Sequence, residues 1–174
     1  MLTKSNDIKV LKLFFDSPEK KFHIREIARL TKLSPPGVMK IVKRLSDDDF
    51  LVAEKDKMVK NVSASRSGKF IQIKRLFNVY LLYENGIVSF LRQRYEEPEA
   101  IVLFGSYSKG EDISKSDVDI AIITSKKILP RMIKFESVIK RKINLHEVGI
   151  GSAEKPFLNQ LSNGIVLYGY LKVI

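Results

Sequence analysis

Apolar positions along this 174-residue chain follow two rhythms, helical up to about residue 98 and strand-like after it. In SNDIKVLKLFFD (5–16), Ile8, Leu11 and Phe15 recur at helical spacing behind a Ser5 cap. A second helix is predicted in FHIREIARLTKLS, with Ile24, Ile27, Ala28 and Leu30 as its apolar set. A third begins in SPPGVMKIVKRLSDDD, where Ser34 can cap and Pro35 suits the first helical position. Its stripe is Val38, Ile41, Val42 and Leu45. The intervening TKLSPP is a short turn. FLVAEKDKMVKNVS (50–63) predicts two short strands around a charged turn at Asp56-Lys57.

Residues 66–96 keep a helical pattern with a break at Glu84-Asn85-Gly86, since glycine can end one helix before the next. Their aromatics, Phe70, Phe77, Tyr80, Tyr83, Phe90 and Tyr95, fall at helical spacing and predict packing. Beyond residue 98, AIVLF and SDVDIAIIT predict strands, PRMIKFESVIKRK a helix behind Pro130, and KINLHEVGI a third strand. PFLNQLSNG predicts a short helix and IVLYGYLKVI a last extended segment. The expectation is an α+β chain of two domains. Residues 1–65 form a helical domain with a hairpin, 66–97 are bridging helices, and 98–174 are a small α/β domain with a mixed sheet.

Composition narrows the class. A mean hydropathy of −0.08 with 44% hydrophobic residues suits a soluble protein with real cores. The absence of cysteine excludes disulfides and thiolate metal sites, and makes the cytoplasm the default compartment. No apolar run is long enough for a bilayer and the N-terminus lacks a signal-peptide core, so no membrane partner is expected. The net charge is +11, with surpluses of +6 over residues 1–66 and +5 over the rest. That balance favours polyanionic partners, nucleic acid or nucleotides. Lys40, Lys43 and Arg44 lie opposite the buried stripe of the third helix, and Lys55, Lys57 and Lys60 sit on the hairpin. Such cations can meet phosphates and base edges.

The chemistry concentrates in VLFGSYSKGEDISKSDVDIAII, residues 102–123. Asp117 and Asp119 are two apart on a strand, so both point to one face. Two adjacent carboxylates repel each other and are costly to desolvate unless a cation compensates them. A hard divalent ion, Mg²⁺ or Mn²⁺, suits this oxygen-rich pair. Gly105 permits an unusual turn and the close approach of a ligand. Ser106 offers a hydroxyl and an amide to triphosphate oxygens, and Lys109 adds a cation.

Two family resemblances follow from these residues. IREIARLTKLSPPGVMKIVKRLSDDDFL resembles the winged helix-turn-helix DNA-binding domains over about residues 5–63. It implies DNA contact through the third helix and the hairpin wing, and a family habit of homodimers. The bland alternative is a winged helix used only for protein contact. The pattern G-S-x(10)-D-x-D resembles the nucleotidyltransferase superfamily related to DNA polymerase beta. It is nearest to the minimal nucleotidyltransferases, with Gly105, Ser106, Gly110, Ser116, Asp117 and Asp119 matching. This resemblance implies a nucleoside triphosphate, ATP foremost, held by Gly105, Ser106, Lys109 and Ser116, with the metal on catalytic Asp117 and Asp119. A hydroxyl acceptor would take the nucleoside monophosphate.

One departure weakens that implication. The superfamily's third carboxylate falls on RKINLHEV, where this chain has Asn144. An amide carbonyl can ligate Mg²⁺ but brings no charge and cannot act as a base. His146 shares the face of Asn144 as a candidate base, while Glu147 points to the other face. The alternative to an enzyme is therefore a DNA-binding regulator, or an antitoxin-like partner of a toxin, whose transferase domain binds nucleotide without turning it over.

Overall fold

The computed structural model describes residues 5–55, 60–149, 151 and 153–172. The chain forms two compact units, Met1–Lys74 and Arg75–Ile174, divided within one long helix.

The first unit contains α1 (Asn6–Asp16), β1 (Phe22–His23), α2 (Ile24–Thr31), α3 (Pro35–Asp47), β2 (Leu51–Lys55) and β3 (Lys60–Ala64). The expected caps are present. Ser5 Oγ accepts the Asp7 N–H at 3.3 Å, and Ser34 Oγ accepts that of Gly37 at 3.3 Å. The stripe of α3 is buried as its spacing predicts.

The other two helices differ in detail from their patterns. In α1 the buried set is Val10, Leu11, Phe14 and Phe15, with Ile8 only half-buried, so the inward face is broader and rotated. In α2, Leu30 is 45% exposed and Thr31 is buried in its place. Thr31 tolerates the interior because its hydroxyl donates to the Ile27 carbonyl at 2.7 Å. The hairpin of β2 and β3 extends to a third antiparallel strand, in the order β1-β3-β2. Two residues of β1 are too few to show a period. They seat Phe22 edge-on to Phe14 at 5.1 Å.

The long helix α4 (Gly68–Glu84) crosses the division, and α5 (Ile87–Arg94) follows it. Gly86 makes the predicted break with φ +73. The remainder is β4 (Ala100–Phe104), α6 (Gly105–Lys109), β5 (Val118–Ile123), α7 (Ile133–Ile139), β6 (Ile143–Val148), α8 (Lys155–Ser162) and β7 (Ile165–Gly169). The sheet order is β6-β5-β4-β7. Strand β4 is antiparallel to β5 and β7, while β5 runs parallel to β6, giving the expected small mixed sheet.

Alternation along β4 and β5 sends residues to two cores. Ile101, Leu103, Ile120 and Ile122 pack with Leu82, Ile87, Leu91 and Tyr95. On the opposite face Ala100, Val102, Phe104, Ala121 and Ile123 pack with Leu161 and Phe157. Each fully buried large aliphatic side chain contributes about 1.5–3 kcal/mol of transfer free energy. The second face becomes polar at one end, where β4 ends and β5 begins. No helix among the described residues is long and apolar enough to cross a membrane.

Candidate functional site

Register brings the site together. Phe104 of β4 pairs with Asp119 of β5, and Asp119 pairs with Asn144 of β6. Because these residues neighbour one another across the sheet, their side chains share a face. The chain leaves β4 through Gly105, whose φ is +73. A Cβ there would lie 2.7 Å from Asp119 Oδ2, so the carboxylate occupies space that only glycine leaves free.

Asp117 lies beside Asp119 as its spacing predicts. Asn144 Nδ2 donates to Asp117 Oδ2 and to Asp119 Oδ1, each at 3.1 Å. One neutral amide thus bridges both acids. His146 is on the same face, with Nε2 3.8 Å from Asp119 Oδ1, too long for a hydrogen bond. That nitrogen is shielded from solvent without a hydrogen-bond partner, and the ring lies 5.2 Å from Phe104 and 5.9 Å from Phe157.

Glu147 leaves the site, as alternation requires. Its Oε1 accepts from the amides of Ile128 and Leu129, each at 2.6 Å, and from the Tyr95 hydroxyl at 2.7 Å. Burial opposes the charge on Glu147, but these donors outweigh it and hold its pKa below the ordinary value. Burial, reinforced by Glu147, raises the Tyr95 pKa.

The other predicted residues are distributed unevenly. Ser106 is half-buried in the first turn of α6. Lys109 is exposed and, with Gly105, Ser108, Asn159, Gln160 and Asn163, lines a cleft of about 480 Å³. Ser116 is turned inward on its own loop: its Oγ accepts the Ile113 N–H at 2.9 Å and its amide donates to the Ile113 carbonyl at 3.0 Å. In the first unit, Lys40 and Lys43 are exposed beside a groove of about 500 Å³ along α3. Arg44 is exposed but ion-paired with Asp7, with Nε 3.1 Å from Oδ2. Lys55 and Lys60 pair in register at the ends of β2 and β3, and Lys57 lies outside the described residues.

One cluster has no counterpart in the sequence reading. Arg141 Nη2 pairs with Asp112 Oδ2 at 3.0 Å, with side chains 5% and 0% exposed. Asn78 Nδ2 donates to Asp112 Oδ1 at 2.8 Å and to the Tyr107 carbonyl at 2.9 Å. Separations of 29 and 34 residues leave no local signal for it.

Among the described residues no three His, Asp or Glu side chains cluster as a ready-made ion site. The donor set is narrower: two carboxylates converging on one amide, beside a glycine that leaves them room. Those hard oxygens suit a divalent cation, with the Asn144 carbonyl as a weak third ligand once the amide rotates.

Residues 85–170 match the family model described as Polymerase beta, Nucleotidyltransferase. The matched span holds β4 to β7 and the carboxylate pair, so the second unit is similar to the polymerase-beta-type nucleotidyltransferase domains. Among solved structures, a toxin–antitoxin crystal structure with AMP-PNP is 29% identical, covering 50% of this chain and 73% of that one, with a TM-score of 0.41. A mutant of the toxin–antitoxin MntA–HpeT is 26% identical over the same shares, with a TM-score of 0.41. A mutant of Lactococcus lactis ZitR is 16% identical, covering 50% of this chain and 60% of that one, with a TM-score of 0.39. No curated protein matches the chain.

Proposed function

We propose that this protein transfers a nucleoside monophosphate from a nucleoside triphosphate, ATP foremost, to a hydroxyl acceptor, and that residues 1–65 act as a winged helix-turn-helix on DNA. The observation that carries the transfer reading is the convergence of Asp117 and Asp119 on one amide beside Gly105. Asp117 and Asp119 would hold Mg²⁺ or Mn²⁺, which when bound supplies charge stabilisation for the transferring phosphoryl group. The Gly105 backbone and the Ser106 hydroxyl would meet the triphosphate beside Asp119, and the exposed Lys109 adds a charge at the cleft. The acceptor oxygen would bond to the α-phosphorus as the bond to the bridging oxygen breaks, with pyrophosphate leaving and the hydroxyl proton passing to solvent. Asn144 cannot take the acceptor's proton, because its amide has no basic site.

With labelled ATP and Mn²⁺ or Mg²⁺, wild type should label an acceptor, either protein or nucleic acid, and Asp117→Ala should not. Asn144 favours a second reading. A neutral bridge in the third-acid position suits a nucleotide-binding regulator or antitoxin-like protein without turnover. In that case wild type binds nucleotide silently and Asn144→Asp gains transfer.

The DNA reading is supported by the short α2–α3 turn, the hairpin of β2 and β3, and the exposure of Lys40 and Lys43 on α3. Arg44 serves it less directly, being held by Asp7. Replacing Lys40 and Lys43 with Ala should weaken DNA binding and flatten its salt dependence by roughly two phosphate contacts. An unchanged slope would leave this unit as a protein-contact module.

A further inference from the structure

We propose that Arg141 is a positioning residue for Asp117, acting through the loop between α6 and β5, and that Ser116 is the last link of that device. The inference rests on reading Asp117 and Asp119 as the cation-holding pair.

The loop needs an anchor. Of residues 111–115 only Asp112 is buried, at 1% exposure, and ordering so exposed a segment costs conformational entropy that its own burial does little to offset. Arg141 supplies the anchor with both branches of its guanidinium. Nη2 pairs with Asp112, and Nη1 donates to the Ile113 carbonyl. Asn78 takes the other Asp112 oxygen, so the buried acid is fully engaged.

The Ile113 peptide is then held on its other side by Ser116, whose hydroxyl accepts its N–H and whose amide donates to its carbonyl. Asp117 is the next residue. From the far side, the Val118 N–H donates to the Lys142 carbonyl at 2.8 Å. Residues 141 and 142 therefore grip the chain on both sides of Asp117, and the same segment leads into β6 with Asn144. A lysine at 141 would keep the charge but could not reach both partners with a rigid fork. Ser116 thus serves the acid pair through the backbone rather than by touching nucleotide.

The test is a Mn²⁺ titration of the full chain, following the loss of the free-ion EPR signal, with thermal melting in parallel. Asp117→Asn marks complete loss of the site. Ser116→Ala should melt with wild type yet bind Mn²⁺ at least about tenfold more weakly, and Ser116→Thr should restore affinity. Arg141→Lys should show the same weakening at temperatures where it remains folded. If it does not fold, the Ser116 pair decides alone. Folded Ser116→Ala and Arg141→Lys proteins with wild-type affinity would overturn the positioning role and leave the acid pair standing. Equal binding by wild type and Asp117→Asn would remove the pair as an ion site, and the positioning role with it.

Discussion

Two sets of acids in the second unit receive opposite treatment. Asp112 is buried, paired with Arg141 and hydrogen-bonded to Asn78. Glu147 is held by two backbone amides and the Tyr95 hydroxyl. Asp117 and Asp119, by contrast, share the Asn144 amide, and His146 stands 3.8 Å off. Asp112 has a cationic partner and Glu147 has three donors on one oxygen, whereas the adjacent pair shares a single neutral amide between two negative charges. On the proposed reading, that shortfall is where a cation from outside would be accepted, and the neighbouring clamp would hold the pair in place.

The contrast can be broken most forcefully at the clamp. Arg141→Met strands a buried acid and should cost about 3–5 kcal/mol in urea denaturation. Asp112→Leu combined with Arg141→Met should recover much of that loss, because no unpaired charge remains. If the single variant is as stable as wild type, Asp112 is not compensated in the way described.

Next in size is Gly105→Ala. Its positive φ alone costs about 1–3 kcal/mol, and the added methyl must displace Asp119 Oδ2. Stability and Mn²⁺ affinity should fall together, and calorimetry with ion titration would show whether they do.

Glu147 sharpens the contrast through pH. Its folded pKa is depressed, so its contribution is fully present above the ordinary value of 4.5 and is lost as pH falls through the lower folded value. Glu147→Gln should flatten the acid side of the stability profile below about pH 4.5 and leave neutral pH nearly unchanged in slope.

The smallest effect is at the pair itself. Asp117→Asn removes a repulsion and should change ion-free stability by less than about 1 kcal/mol, in the stabilising direction. A large loss would place Asp117 among the structural acids.

Much of the site was legible in sequence because it is local. Gly105 and Ser106 precede Asp117 and Asp119 within one strand–turn–strand stretch, and a period of two places both acids on one face. The stripe of α3 was legible for the same reason, as was the break at Gly86. What was hidden depends on distant partners. The hydroxyl of Ser116 looks free in sequence, but the loop turns it onto Ile113. Arg141 reads as one cation among many in KRK until Asp112 arrives from 29 residues away. Leu30 and Thr31 exchange places because a backbone carbonyl satisfies the threonine, which polarity alone does not reveal.

The in-register pairing of Asp119 with Asn144 has one more implication. Exchanging the amide nitrogen for oxygen alters almost no volume, so the backbone already accommodates a triacid, and the barrier is the added charge together with the two lost N–H donations. A chain carrying that exchange should resist assembly in chelator and recover when a divalent ion is supplied, tying its folding equilibrium to ion concentration.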